Sequence, residues 1–193
     1  MTKIKICGLM TSADIAAVNR AKPDLAGFIF AGGRHRIDLT TALKLRNKLN
    51  HDIPSVGVFV NAPMEEMVTA VNSGAVSMIQ LHGQESETVV NDLQVLGIPV
   101  IDVFRPSNKL PHTKADYLML DSGSGDGKVV NWQKLRINRE QPLIIAGALN
   151  SENVQSAIQN IQPAFVDLSR GVETNGQKDP QKILEIVNLV HQL

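Results

Sequence analysis

Cys7 is the only cysteine of this 193-residue chain. It closes an apolar, β-branched run, Lys3-Ile4-Lys5-Ile6-Cys7, and is followed by Gly8. Residues two apart in a strand share a face, so Lys5 points to the same side as Cys7. A thiol in that setting has two readings. It is a small buried core residue, the commoner case, or it is a base or nucleophile whose thiolate a nearby cation favours over a free pKa of ~8.5. Asp121 precedes Ser122-Gly123-Ser124-Gly125-Asp126-Gly127 and is either a general acid or a turn former bonding its own loop. His82, in Gln80-Leu81-His82-Gly83, is structural or catalytic. Arg34 and Arg36 stand on a Gly-rich loop, either as a solvated patch or as a fork for a carboxylate or phosphate. Two further segments, Ala146-Gly147-Ala148 and Ser169-Arg170-Gly171, are ordinary turns or places where glycine lets backbone N–H groups approach an anion closely. Taken together, these residues suit acid–base chemistry on a phosphorylated small molecule.

Residues so far apart in sequence need a frame that brings them together. Short apolar runs alternate with amphipathic stretches, which is the pattern of parallel strands joined by crossover helices in an α/β fold. Strands are expected near 3–7, 25–30, 55–60, 77–81, 100–104, 117–121, 143–146 and 165–168. Helices are expected near 12–20, 40–49, 63–73, 85–96, 151–159 and 180–191. Asn61 before Pro63 and Asp179 before Pro180 read as helix starts. The segment 105–115 holds two prolines, and 131–136 is about one turn long, so one or two outer helices should be shortened or missing. Eight strands in 193 residues leave about 24 per unit, below the ~200 residues usual for barrels, so every connection must be short. The expected fold is one compact (βα)8 TIM barrel spanning 1–193 as a single domain. A doubly wound open sheet is the alternative, but Cys7-Gly8-Leu9-Met10 after strand one is no G-x-G-x-x-G fingerprint. In such barrels the active site lies at the C-terminal strand ends, and phosphate is commonly held after strands seven and eight. Cys7, Arg34, Arg36, His82, Asp121 and the two Gly-containing segments fall at those ends.

Composition narrows the partners. Lys plus Arg and Asp plus Glu both number 19, so no basic excess exists to neutralise nucleic acid or hold an anionic membrane. One cysteine forms no intrachain disulfide, and MTKIKICGLM lacks the apolar core of a secretory signal, so a cytoplasmic protein is expected. No apolar run approaches the ~20 residues of a membrane-spanning helix. The oligomer is expected to be a monomer or homodimer.

The chain resembles phosphoribosylanthranilate isomerase, a tryptophan-pathway family. The resemblance runs end to end through Lys5-Ile6-Cys7-Gly8, Gly27-Phe28-Ile29-Phe30, Val56-Gly57-Val58-Phe59-Val60-Asn61 and Gln80-Leu81-His82-Gly83-Gln84-Glu85. It continues through Leu120-Asp121, Asn131-Trp132, Gly147-Ala148-Leu149-Asn150-Ser151-Glu152-Asn153-Val154 and Val166-Asp167-Leu168-Ser169-Arg170-Gly171-Val172-Glu173. It implies an Amadori rearrangement of N-(5'-phosphoribosyl)anthranilate, a phosphosugar, with no metal or redox cofactor. Cys7 would be the general base and Asp121 the general acid. Arg36 would meet the anthranilate carboxylate, with Arg34 the alternative, and His82 and Asp167 would line the same cavity. Gly147, Ala148, Ser169, Arg170 and Gly171 would form the phosphate site. The sequence departs from the family at three of these places: Gly33-Arg34-His35-Arg36 stands for S-P/K-R-x, Gly147-Ala148 for G-G, and Ser169-Arg170-Gly171 for S-S-G. A methyl on Ala148 is tolerable where that residue needs no positive φ. The rivals are a ribulose-phosphate epimerase, the isomerase of histidine synthesis, and a non-catalytic phosphate-binding barrel.

Overall fold

The computed structural model describes residues 1–105, 112–123 and 141–193. The eight expected strands are present, each within about a residue of its expected ends: β1 Lys3–Cys7, β2 Leu25–Ile29, β3 Ser55–Phe59, β4 Met78–Leu81, β5 Val100–Phe104, β6 Tyr117–Asp121, β7 Leu143–Ala146 and β8 Phe165–Leu168. They pair in parallel, each with the next, and β1 closes on β8 to complete the barrel. The open sheet is thereby excluded.

Six α-helices are described: α1 Ser12–Ala21, α2 Leu39–Arg46, α3 Met64–Asn72, α4 Glu87–Val95, α5 Val154–Ile161 and α6 Pro180–His191. No α-helix is described between β5 and β6 or between β6 and β7. The short helix expected at 131–136, the Trp132 motif, the loop 124–127 and the segment 106–111 lie outside the described residues.

Helix starts follow local chemistry. Thr11 caps α1, its hydroxyl accepting from the Asp14 N–H while Asp14 accepts from the Thr11 N–H. Asp179 caps α6 ahead of Pro180, as expected. Asn61 does not cap α3, whose N-cap is Pro63. Its side chain instead accepts from the Gln84 N–H across the mouth of β3 and β4, and its backbone takes φ 50.

Alternation along the strands makes two cores. Outward residues pack under the helices, with Ile4, Ile6, Phe28, Leu81, Leu120 and Val166 fully or almost fully buried. Inward residues fill the barrel floor with Leu25, Val56, Met78, Ile101, Met119, Ile144 and Phe165. Two residues further along the same inward faces the filling turns polar: Lys5 on β1, Gln80 on β4 and Asp167 on β8 are all buried. Two more bring Cys7 and His82 to the rim, where Asp121 ends β6. The sequence pattern missed one element. After β8 a 3₁₀ turn, Arg170–Val172, leads into a two-strand hairpin, β9 Glu173–Thr174 with β10 Gln177–Lys178.

The outward face of β5 carries an exception to its apolar neighbours, Asp102, which is 9% exposed. Burial pushes its carboxyl up to about 6, helped by the charges of Glu87 and Glu85, against hydrogen bonds from Thr113 and the Val103 N–H. Folding therefore binds a proton where the unfolded Asp, near ~3.9, has lost it. The stability Asp102 contributes is present below about pH 4 and is lost as the pH rises through about 6. Asp102→Asn should gain about 1–2 kcal/mol over the parent at pH 8 and little at pH 4, read from denaturant midpoints. An equal shift at both pH values would refute this.

Candidate active site

The register of the barrel sets the site. Lys5 and Asp167 are direct cross-strand partners on β1 and β8, as are Cys7 and Gly27 on β1 and β2. A Cβ on Gly27 would stand 2.6 Å from the Cys7 sulfur, so only glycine leaves the thiol its place. Cys7 itself is 5% exposed.

The Lys5 ammonium has three N–H donors and meets three side chains. It ion-pairs with Asp167 Oδ1 at 3.1 Å, donates to Gln80 Oε1 at 2.8 Å and brings its charge to bear on the Cys7 thiol. Burial lowers the Lys5 pKa, but Asp167 and Cys7 outweigh it and hold the group charged. The polar line continues to the mouth: Gln80 Nε2 lies 3.2 Å from His82 Nδ1, and His82 Nε2 lies 3.3 Å from Asp121 Oδ2. Asp121 Oδ1 accepts from the Gly123 N–H at 2.7 Å. Asp121 thus shapes its own loop, as the turn reading expects, and also faces the cavity.

The protonation balance corrects a sequence expectation. Burial pushes the Cys7 thiol up, and Lys5 and Lys178 only partly offset this, so the thiol lies above its ordinary value. The cation beside it does not depress it on balance. Burial also pushes Asp121 up, but hydrogen bonds from His82 and the Gly123 N–H, with the charge of Lys5, hold it below the usual carboxylate value.

Two cavities meet at Asp121 and Gly123. One of about 660 Å³ is lined by His82, Gly83, Gln84, Val103, Phe104 and Arg105 as well. The other, about 150 Å³, runs between the ends of β7 and β8, lined by Gly147, Ala148, Ser169, Arg170, Gly171 and Asp167 among others. The five expected phosphate-site residues and Asp167 therefore share one small cavity with Asp121, and His82 faces the larger one. Cys7 lines neither. Backbone crowding dictates the glycines here: a Cβ on Gly171 would lie 1.9 Å from the Leu149 carbonyl oxygen, and one on Gly147, at φ 97, 2.1 Å from Ser122 Oγ. Arg170 is exposed and also lines a second groove against α6.

Ala148 does take a positive φ, 52, so its methyl stands in the left-handed region after all. The Asn153 amide donates to its carbonyl and holds it there. A non-glycine residue in that region costs about 1–2 kcal/mol, part of which glycine would give back as unfolded-state entropy. Ala148→Gly is expected to raise the melting midpoint by about 2 °C, a gain of ~0.5–1 kcal/mol. A lower midpoint by calorimetry would contradict this.

Arg36 stands apart from these cavities. Its Nε donates to the Phe30 carbonyl at 3.2 Å, and it lines a separate cleft of about 420 Å³ with Phe30, Phe59 and the start of α2. Arg34 and His35 turn the other way, onto Glu173: Arg34 pairs with its carboxylate, and His35 Nε2 lies 2.8 Å from Oε1. Lys178 meets the same Oε1 at 2.8 Å and donates to the Ser169 carbonyl at 2.9 Å. The Gly-rich loop after β2 is thereby tied to the hairpin that follows the small cavity. Among the described residues, no group of three His, Cys, Asp or Glu side chains converges to hold a metal ion.

Comparison with known proteins decides the family. The model of the N-(5'-phosphoribosyl)anthranilate (PRA) isomerase family matches residues 4–189. The chain belongs to that family. The N-(5'-phosphoribosyl)anthranilate isomerase of Lacticaseibacillus paracasei is 47% identical over 188 residues, covering 97% of this chain and 94% of the relative. The crystal structure of phosphoribosyl anthranilate isomerase from Thermotoga maritima superposes with a TM-score of 0.87 at 28% identity, over all of both chains. A crystal structure of the isomerase in complex with reduced 1-(o-carboxyphenylamino)-1-deoxyribulose 5-phosphate superposes with a TM-score of 0.81 at 27% identity, again over all of both chains. PRA isomerases with this barrel are thus similar to the chain along its whole length.

Sequence reasoning assigned Gln80, Glu173 and Lys178 no role, although the structure places all three in the network around the site. Gln80 was detectable, because it stands two residues before His82 on the same inward face. Lys178 carried no such signal, because it belongs to the hairpin outside the strand–helix repeat.

Proposed function

We propose that Cys7 and Asp121 divide the proton transfers of the family's reaction, with the anionic ends of the substrate held on either side. The chain is an isomerase that converts N-(5'-phosphoribosyl)anthranilate to 1-(2-carboxyphenylamino)-1-deoxyribulose 5-phosphate, a step of tryptophan synthesis. The match over residues 4–189 carries this assignment.

Asp121 gives a proton to the furanose ring oxygen. The C1'–oxygen bond breaks as the anilino nitrogen lone pair forms the C=N bond of a Schiff base. The Cys7 thiolate then takes the C2' proton, and the resulting enolamine tautomerises to the ketone. One positioned acid and one positioned base cover these steps at about 10²–10⁴-fold each.

The phosphate is assigned to the small cavity of Gly147, Ala148, Ser169, Arg170 and Gly171, which lies at the ends of β7 and β8, where loop backbone N–H groups suit an anion. The anthranilate carboxylate is assigned to Arg36. Its guanidinium is exposed, while Arg34 is already held by Glu173. His82 and Asp167 act on the substrate's side of the network through Asp121 and Lys5. Among the described residues no helix is long and apolar enough to cross a membrane. A mechanism resting on one free thiol suits a reducing compartment, which supports a cytoplasmic setting.

The test is to mix freshly prepared phosphoribosylanthranilate with purified protein and follow its fluorescence. Rapid loss of signal is expected. Stable fluorescence in the presence of folded protein would overturn the assignment in favour of another phosphosugar barrel.

A further inference from the structure

Between the proposed base and the proposed acid lies a carboxamide that neither proton transfer uses. Gln80 is 1% exposed and Lys5 fully buried, so their polar atoms have only each other and their protein neighbours as partners. An ammonium can only donate. The atom of Gln80 that faces Lys5 Nζ at 2.8 Å is therefore its carbonyl oxygen, and its amide nitrogen is the atom 3.2 Å from His82 Nδ1. An amide NH₂ likewise only donates, so Nδ1 of His82 is an acceptor and carries no proton. In the neutral ring the remaining proton sits on Nε2, 3.3 Å from Asp121 Oδ2.

We infer that Gln80 is a positioning residue for the isomerisation: its carboxamide, oriented by Lys5, fixes the tautomer of His82 and so turns the ring's N–H onto Asp121. The inference rests on the proposed role of Asp121 as acid. With the opposite tautomer a bare Nε2 would face Asp121 and accept the proton that the acid must deliver to the ring oxygen. A donor at Nε2 closes that diversion and leaves the sugar oxygen as the recipient. It also holds Oδ2 in place while the Gly123 N–H holds Oδ1. Lys5 thus reaches the acid as well as the base, through two intervening side chains.

The test uses protein labelled with ¹⁵N-histidine, with His82 assigned by the loss of its signals in His82→Asn. Parent protein at alkaline pH should show the His82 ring protonated at Nε2 alone. Gln80→Met, of similar volume, should release that preference, giving mixed tautomers, and should lower kcat by about tenfold with KM within about twofold. Gln80→Glu keeps an acceptor for Lys5 but presents an acceptor to Nδ1 as well. It should move a proton onto Nδ1 and also lower kcat, which guards against simple misfolding of the methionine variant. A parent ring protonated at Nδ1, tautomers unchanged in both variants, or unchanged kcat in both would each overturn the inference. If the parent protein does not consume substrate at all, the functional reading fails instead, and the histidine spectra still decide the placement of the proton.

Discussion

Asp121→Asn should lower kcat by about 10²–10⁴-fold while leaving KM within a few-fold of the parent value. Asparagine has nearly the same shape, and its carbonyl can still accept from the Gly123 N–H, which Asp121 Oδ1 now does at 2.7 Å. The loop and the cavity wall are therefore kept, and what is lost is the proton. Among the described residues, Asp167, whose charge reaches Asp121, is engaged by Lys5 at 3.1 Å and does not take its place. Steady-state rates, with product titrated against the variant, separate turnover from binding. A variant with near-normal kcat would remove Asp121 from the mechanism.

Cys7→Ala should cost a similar factor of about 10²–10⁴ in kcat, again with ligand binding largely intact. Removing one sulfur beside Gly27 leaves a small gap and no unpaired charge, because Lys5 keeps Asp167 and Gln80. The expected pH behaviour follows from how the fold holds Cys7 and Asp121. The thiol is pushed up by burial and Asp121 is held down by His82 and Gly123, so near neutrality the pair holds one proton, on sulfur. The reaction needs that same single proton on the carboxyl. The proton count is right and its placement is reversed. Accordingly kcat/KM should be flat around neutral pH, falling on the acid side as Asp121 takes a second proton into the pair and on the alkaline side as Cys7 loses the only one. The anionic groups of the substrate, arriving beside Asp121, raise its pKa and draw the proton to where it acts. A kcat in Cys7→Ala close to that of the parent would dismiss the thiol as base.

The barrel was legible because its signal repeats. Eight apolar runs separated by amphipathic stretches admit few arrangements, and strand ends carry the polar residues that a core would reject. Periodicity also placed Lys5 on the face of Cys7, and its charge does act on the thiol. What sequence could not supply was the balance of opposed effects: the same burial that brings the lysine to the sulfur raises the thiol by more than the lysine lowers it. The conformation of Ala148 was left open for a related reason. Whether a loop residue needs a positive φ depends on the Asn153 amide that grips its carbonyl, a contact with no periodic signature. Arg34 and Arg36 read alike in sequence, and only Glu173, 139 residues away from Arg34, distinguishes them.

The closed setting of Cys7 also makes the molecule its own reporter. With one thiol in the chain, wedged against Gly27 and 5% exposed, a bulky alkylating reagent has a single target that it reaches only when the rim around it moves aside. The labelling rate of the native protein then reports how often the rim around β1 uncovers the sulfur, and a ligand that slows it does so in proportion to the closed state it stabilises.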